Sequence, residues 1–347
     1  MKKIVIIHPY LNCHGGAERK VIHLRNYLKK EGNIVDIFTF DFSKESTFYE
    51  YLNDTSNIYE LKGNYIYKLI KIIKVCRREK YDICICSNYP AHFYGYVIKK
   101  LSTIKSILWI CNEIHSKLNP PKTLVKKIFT IIEKKIIKNF DNIITNSKNT
   151  HNQVLKYFHK KSTIIYPGVN MNTIGRVKDE QKKYFFCLSR ATYDKNIIFL
   201  EKIIKNSSHN IIFVGSGPMS SYLEDLERSY NNFEYYKNVG DNEKNRLFSN
   251  ADLFLFLPLN EPFGVTIIES LNLGTPVISF NSGGPKEIII NKKNGILCDN
   301  EAEYIKYISD YNHKSFAYEP EYFKSYVTRN FSLNQMLKNF GDLIQLS

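Results

Sequence analysis

The chain has 347 residues, 43% hydrophobic and 24% charged, with a net charge of +15. That length suits two domains and the apolar content supplies real cores, while no apolar run approaches the roughly 20 residues of a membrane span. Seven cysteines, at positions 13, 76, 84, 86, 111, 187 and 298, form no C-x2-C pair; this spacing argues against disulfides and a zinc site and for a reducing cytoplasm.

The first strand is expected at 3–7, since His8-Pro9 ends the opening apolar run too early for a signal peptide. A loop from His8 to Gly16 ends in Gly15-Gly16-Ala17-Glu18. An amphipathic helix follows to about Lys30, closed by Gly32, and then a strand at 34–40. Glycines at such a strand-to-helix turn let backbone approach a ligand. Further strands are predicted at 57–61, 81–86, 106–111, 142–145 and 163–165, with helical patterns between them. This alternation means an α/β fold with a doubly wound parallel sheet. Asn146-Ser147 closes one strand and caps the next helix.

Charge is divided unevenly. Residues 1–169 hold 29 Lys and Arg against 13 Asp and Glu, and the remainder holds 20 against 21. A basic half suits an anionic partner such as a membrane surface, nucleic acid or acidic glycan; the plainer reading is a lysine-rich composition. Two predicted helices carry much of it. The helix at 65–80 bears Lys68, Lys71, Lys74, Arg77 and Arg78, and the helix at 122–138 bears Lys126, Lys127, Lys134 and Lys135. Basic amphipathic helices either lie on anionic membranes or pack on their own sheet with lysines in water. No recognised nucleic-acid module accompanies the charge, so no nucleic-acid partner is expected.

Residues 172–183 are polar and read as a linker into a second domain, which opens with a strand at 184–188 and the loop Ser189-Arg-Ala-Thr-Tyr-Asp-Lys195. A strand at 211–214 leads into Gly215-Ser216-Gly217-Pro218, which lacks the third glycine of a dinucleotide fingerprint and the Lys-Ser/Thr of a P-loop. Val239-Gly240 precedes a short helix ending near Asn250. The apolar run 252–257 reads as a buried strand, followed by Asn260-Glu-Pro-Phe-Gly-Val-Thr-Ile-Ile-Glu-Ser270. With Gly264 at a helix mouth, the first N–H groups of Val265 and Thr266 and the helix dipole suit a phosphate. Glu261 and Glu269 can then accept hydrogen bonds from sugar hydroxyls on either side. On spacing alone, Val265-Thr-Ile-Ile268 fits a strand equally well, with both acids merely solvated. The tail from Phe331 reads as a final helix with Ser332 at its N-cap.

Glu261-Pro-Phe-Gly264 followed by Glu269 resembles the E-x7-E signature of retaining family 4 glycosyltransferases (glycosyl transferases group 1). Leu273-Gly-Thr-Pro-Val-Ile278, Ser282-Gly-Gly-Pro-Lys-Glu287 and Asn294-Gly-Ile-Leu297 follow the same family in order and spacing, and the resemblance extends over nearly the whole chain. It implies the GT-B fold, two Rossmann-like domains facing across a cleft. The expected division is 1–169 for the acceptor and 170–330 for the nucleotide sugar, with a last helix at about 331–347 crossing back to the first domain.

By the same resemblance, Arg190 and Lys195 hold the nucleotide diphosphate, Glu261 the donor sugar and Glu269 the ribose diol. Gly15, Gly16, Gly215, Gly217, Val239, Pro262, Phe263, Gly264, Val265 and Thr266 complete the donor set. Ser282-Gly283-Gly284 closes its sugar end and Glu287 braces the next helix. Many relatives have a His directly after the strand that ends at Cys111, where this chain has Asn112; His115 lies three residues on. Asn112 and His115 are therefore both acceptor-side candidates, His115 also a catalytic one.

The expected function is a retaining, metal-independent transfer of a sugar from a UDP- or GDP-hexose to a glycan or lipid-linked acceptor in cell-surface polysaccharide or glycoconjugate synthesis. No cofactor is required in this reading: the chain has no Asp-x-Asp, and protein cations meet the leaving diphosphate. The expected location is cytoplasmic, with an anionic membrane surface as a candidate partner. The alternatives are a GT-B-fold nucleotide-sugar epimerase, and a catalytically silent protein binding nucleotide sugars or polyanions, which the loss of His at Asn112 keeps open.

Overall fold

A computed structural model describes residues 1–11, 15–42, 57–114, 124–171, 184–311 and 320–346. The chain divides into two compact units: Met1–Pro167 together with Asn334–Ser347, and Gly168–Leu333.

In the N-terminal unit the strands are β1 (Lys3–Ile7), β2 (Tyr10–Leu11), β3 (Ile34–Thr39), β4 (Asp41–Phe42), β5 (Ile58–Glu60), β6 (Ile83–Ser87), β7 (Ser106–Cys111), β8 (Asn142–Thr145) and β9 (Thr163–Ile164). Seven of them form one sheet in the order β5-β3-β1-β6-β7-β8-β9, and β2 pairs with β4 apart from it. Every pairing in the large sheet is parallel. That explains why these strands are nearly unbroken apolar runs: helices cover both faces, so alternate residues have no water to face. The helices are α1 (Gly16–Lys30), α2 (Tyr65–Glu79), α3 (Ala91–Leu101), α4 (Leu124–Ile137) and α5 (Lys148–Phe158). Local chemistry sets their starts. The Asn64 side chain accepts from the Tyr67 N–H at 2.9 Å to open α2, and Ser147 accepts from Thr150 at 2.9 Å to open α5, as its sequence position suggests.

The C-terminal unit has β10 (Tyr184–Leu188), α6 (Phe199–Asn206), β11 (Asn210–Val214), α7 (Ser220–Ser229), β12 (Phe233–Tyr236), α8 (Asp241–Asn250), β13 (Leu253–Phe256), α9 (Val265–Asn272), β14 (Val277–Phe280), α10 (Pro285–Ile288), β15 (Gly295–Cys298), α11 (Glu301–Ser309) and α12 (Pro320–Phe331). Its sheet runs β12-β11-β10-β13-β14-β15, again all parallel. Counted within the unit this is the order 3-2-1-4-5-6, the Rossmann arrangement. Each unit buries its own core, with Val5, Ile7, Cys84, Trp109 and Ile143 in one and Phe185, Phe213, Leu253, Leu255 and Ile278 in the other.

The last helix, α13 (Leu333–Leu346), belongs almost entirely to the N-terminal unit. Lys2 Nζ donates to the Ile344 carbonyl at 2.8 Å, so chain start and chain end are tied together there.

Candidate active site

The two central strands of the C-terminal sheet, β10 and β13, are neighbours whose onward connections leave in opposite directions, to β11 and to β14. Such a reversal opens a crevice at the carboxyl ends of the strands, where doubly wound folds bind ligands. The loop after β10 carries Arg190 and Lys195, and the loop after β13 carries Glu261 and Gly264.

Across that switch point Lys195 Nζ donates to Glu261 Oε2 at 2.8 Å. Both groups are mostly shielded from water, at 16% and 24% side-chain exposure, so the pair is not an incidental surface contact. Asp194 lies 3.4 Å from the same ammonium and 4.0 Å from the Arg190 guanidinium. Burial works against the Asp194 charge, yet its surroundings, Lys195 and Arg190 among them, hold the carboxyl below the usual range. Arg190 itself is 73% exposed and reaches into solvent.

Helix α9 begins just after Gly264, whose φ of 105° places it in the left-handed region and which offers no side chain to cap the helix. The β-branched run Val265-Thr-Ile-Ile268 is therefore helical, with Ile267, Ile268 and Leu271 buried. Val265 and Thr266 are half-buried at its first turn and Glu269 one turn on. Phe263, expected among the donor-binding residues, turns its ring into the core at 2% exposure, 5.8 Å from Phe331. What Phe263 can offer a ligand is backbone; its ring anchors the loop.

The loop is also braced from below. The Gly284 N–H donates to the Glu261 carbonyl at 2.8 Å and Ser282 Oγ accepts from the Asn260 N–H at 3.1 Å. A Cβ on Gly284 would sit 2.3 Å from Phe263 Cα, so only glycine allows this approach. On the β10 side, the Ala191 N–H donates to Ser216 O at 3.0 Å, which ties the Arg190 loop to the turn holding Gly215 and Gly217. A Cβ on Gly215 would meet Ser189 O at 1.8 Å. The glycines of 215–217 and 282–284 are thus required by backbone packing that fixes the two site loops. Glu287 lies in the short helix α10.

Sequence reasoning missed Lys244. It projects from α8, five residues after Val239, to within 3.6 Å of Glu269 Oε1 and 3.1 Å of Asp241 Oδ1, and is 15% exposed. Its spacing to Asp241 on the same helix reads as an ordinary surface pair, and no local motif marks the contact with Glu269, which is on another helix.

In the N-terminal unit Gly15 precedes α1 and Gly16 is its first residue. Asn112 follows β7, and His115 lies outside the described residues. The Asn112 position is occupied by a cluster, not a single group: Lys20 Nζ donates to Asn112 Oδ1 at 2.7 Å, and Asn112 Nδ2 donates to Asn88 Oδ1 at 2.6 Å. Among the described residues no group of three or more His, Cys, Asp or Glu is placed to hold a metal ion.

Two Rossmann-like units, one with a carboxylate, two cations and an uncapped helix start at its switch point, define the GT-B class of fold. Residues 14–173 match the profile named Glycosyltransferase Family 4, and residues 172–326 match Glycosyl transferases group 1. The chain is a GT-B glycosyltransferase related to the family 4, group 1 enzymes. Among similar proteins, the alpha-1,3/1,6-mannosyltransferase ALG2 of Saccharomyces cerevisiae is 25% identical over 373 residues, spanning 87% of this chain and 73% of the yeast protein. An uncharacterised glycosyltransferase of Methanocaldococcus jannaschii is 27% identical over 329 residues, spanning 82% and 80%. The crystal structure of Anabaena HepE in complex with UDP and glucose superposes with a TM-score of 0.83 at 15% identity, covering 99% of this chain and 100% of that one.

Proposed function

We propose that the protein is a retaining glycosyltransferase that moves a hexose from a nucleoside-diphosphate sugar to a glycan or lipid-linked acceptor without a metal. The observation that carries this reading is the Lys195–Glu261 hydrogen bond at the β10/β13 switch point. A sugar whose hydroxyl bonds to Glu261 has its leaving phosphate beside the Lys195 ammonium. As the bond to the diphosphate breaks, negative charge grows on the leaving oxygen, and Lys195, Arg190 and the first amides of α9 meet it. Glu269, beside Lys244, takes the ribose diol. The acceptor belongs to the N-terminal unit in this reading. The mannosyltransferase names of the relatives and the UDP and glucose of the Anabaena complex fit a hexosyl donor and leave UDP and GDP both in play.

The same unit is proposed to touch an anionic membrane on the cytoplasmic face. Helices α2 and α4 expose Ile66, Ile70, Ile128, Ile131 and Ile132. In sequence Lys68 lies between Ile66 and Ile70, and Lys126, Lys127, Lys134 and Lys135 flank the isoleucines of α4. Exposed isoleucines among cations suit an interface of acyl chains under acidic headgroups better than they suit water. No helix among the described residues is long and apolar enough to cross a membrane.

The test is to incubate the protein with UDP-glucose and with GDP-mannose, with and without chelator, and measure nucleoside diphosphate release. Release from one donor that survives chelator and is lost in Glu261→Gln supports the reading. Conversion of donor into an epimeric sugar nucleotide would replace it with the epimerase, and no turnover of either donor would count against it.

A further inference from the structure

Lys20 lies in the first turns of α1, half-buried, and among the described residues it pairs with no carboxylate. Its hydrogen-bond partner is the neutral amide of Asn112. An ammonium removed from water against one amide is expensive, and an apolar residue would serve the fold better. The groups that face it electrostatically are Cys111 and Glu18; burial leads, and pushes the Lys20 ammonium down to about 8. Cys111 is itself pushed up by burial and stays a neutral thiol.

The charge on Lys20 dictates the polarity of everything attached to it. An ammonium can only donate, so Asn112 must turn its oxygen to Lys20 and its NH2 to Asn88. Asn88 must then accept through its own oxygen, which keeps its NH2 as a donor. Each oxygen already accepts one hydrogen bond. Among the described residues the cluster retains two Lys20 N–H groups, one on Asn112 and two on Asn88, five donors against at most one remaining lone pair on each of the two oxygens. Asn88 and Asn112 follow β6 and β7, so these donors gather at the carboxyl end of the N-terminal sheet, the ligand-binding end of such folds.

We propose that Lys20, Asn112 and Asn88 form an oxyanion subsite, which takes a phosphate or carboxylate group carried by a substrate of the transferase. A sugar hydroxyl alone would leave most of these donors unmatched, whereas an oxyanion offers several lone pairs and a counter-charge. The subsite deepens the transferase reading by giving the substrate an anionic group near the N-terminal sheet.

The test uses the full chain saturated with whichever of UDP or GDP binds, and titrates inorganic phosphate and glucuronate by calorimetry. Wild type should bind one of them. Lys20→Met should weaken that binding about tenfold or more, the scale of a lost charge-assisted contact, and Lys20→Arg should restore most of it. Asn112→Asp keeps the side-chain shape but hands Lys20 its own carboxylate, and should abolish binding. Wild-type affinity should fall above pH 8 as the ammonium is lost, and that of Lys20→Arg should not. If the anions bind only without nucleotide and Lys20→Met weakens nucleotide binding by the same factor, the subsite stands and the oxyanion is the donor's diphosphate. If Lys20→Met, folded as judged by its melting transition, binds anions and nucleotide like wild type, the subsite is wrong. Failure of UDP and GDP to bind wild type, with Lys20-dependent phosphate binding intact, would instead remove the transferase reading and keep the subsite.

Discussion

Replacing Gly284 by alanine is a sharp probe of how the site loop is held. Gly284 has φ −68° and ψ −32°, a conformation any residue adopts, so backbone strain is not at issue. The obstacle is space. The new Cβ would lie 2.3 Å from Phe263 Cα, 2.6 Å from Phe263 O and 2.6 Å from Pro262 O, all backbone. Carbon atoms pack at about 3.5 Å or more, so the loop must retreat by about 1 Å. It cannot swing freely, because the Phe263 ring is locked in the core and the Glu261 carbonyl is bonded to the Gly284 N–H itself. Overpacking of this kind costs about 1–3 kcal/mol, which lowers the melting temperature by roughly 2–12 °C for a unit of this size. The retreat also shifts Glu261, and a displacement of about 1 Å costs on the order of 100-fold in turnover. Gly240→Ala is the control, since its Cβ would meet nothing within 4 Å. Differential scanning calorimetry and donor turnover on both variants decide the matter. A Gly284→Ala protein with wild-type melting and wild-type turnover would refute the close-packing account of these loops.

Three further outcomes follow from the same geometry. Lys195→Ala should lower turnover by about 100-fold, the effect of one electrostatic stabiliser, and near-wild-type kcat would remove Lys195 from the site. Lys20→Met should melt higher than wild type at pH 7. The unfolded lysine titrates near 10.4 and the folded one near 8, so the unfolded state binds more protons between those values and wild-type stability rises with pH across that window. The gain at pH 7 has an upper bound of about 3 kcal/mol, since part of the side chain keeps its water, and it should shrink toward pH 10; equal melting at both pH values would contradict it. Charge reversal at Lys68 and Lys71 should reduce co-sedimentation with phosphatidylserine vesicles at low salt, and wild type failing to co-sediment would remove the membrane surface altogether.

Parallel strands announce themselves in a sequence because burial on both faces makes them continuous apolar runs, as at Lys3–Ile7 and Tyr184–Leu188, and their boundaries agree closely with expectation. The edge strand Phe233–Tyr236 was not expected: alternating burial leaves only two buried residues to mark it. The helix Pro320–Phe331 buries only Phe323, Val327 and Phe331, a weak apolar signal beside that of the tail behind it. Val265-Thr-Ile-Ile268 was ambiguous because β-branched residues prefer strands, and the outcome depends on Gly264 starting a helix whose buried face fits the sheet. Motif residues such as Glu261 and Lys195 stood out in the sequence, while their contact joins positions 66 apart and belongs to the fold. Lys244 and Lys20 carry no local signature at all. Each is linked to the site by a partner distant in sequence, Glu269 in one case and Asn112 in the other.

The central claim is a nucleotide-sugar site in the C-terminal unit built on Lys195, Glu261 and Glu269, and titration calorimetry of UDP and GDP tests it most directly. The expected result is selective binding of one nucleotide by wild type in the presence of chelator, weakened about tenfold or more in Lys195→Met and in Glu269→Gln. Binding of neither nucleotide by the folded protein, or binding indifferent to both substitutions, would contradict the account.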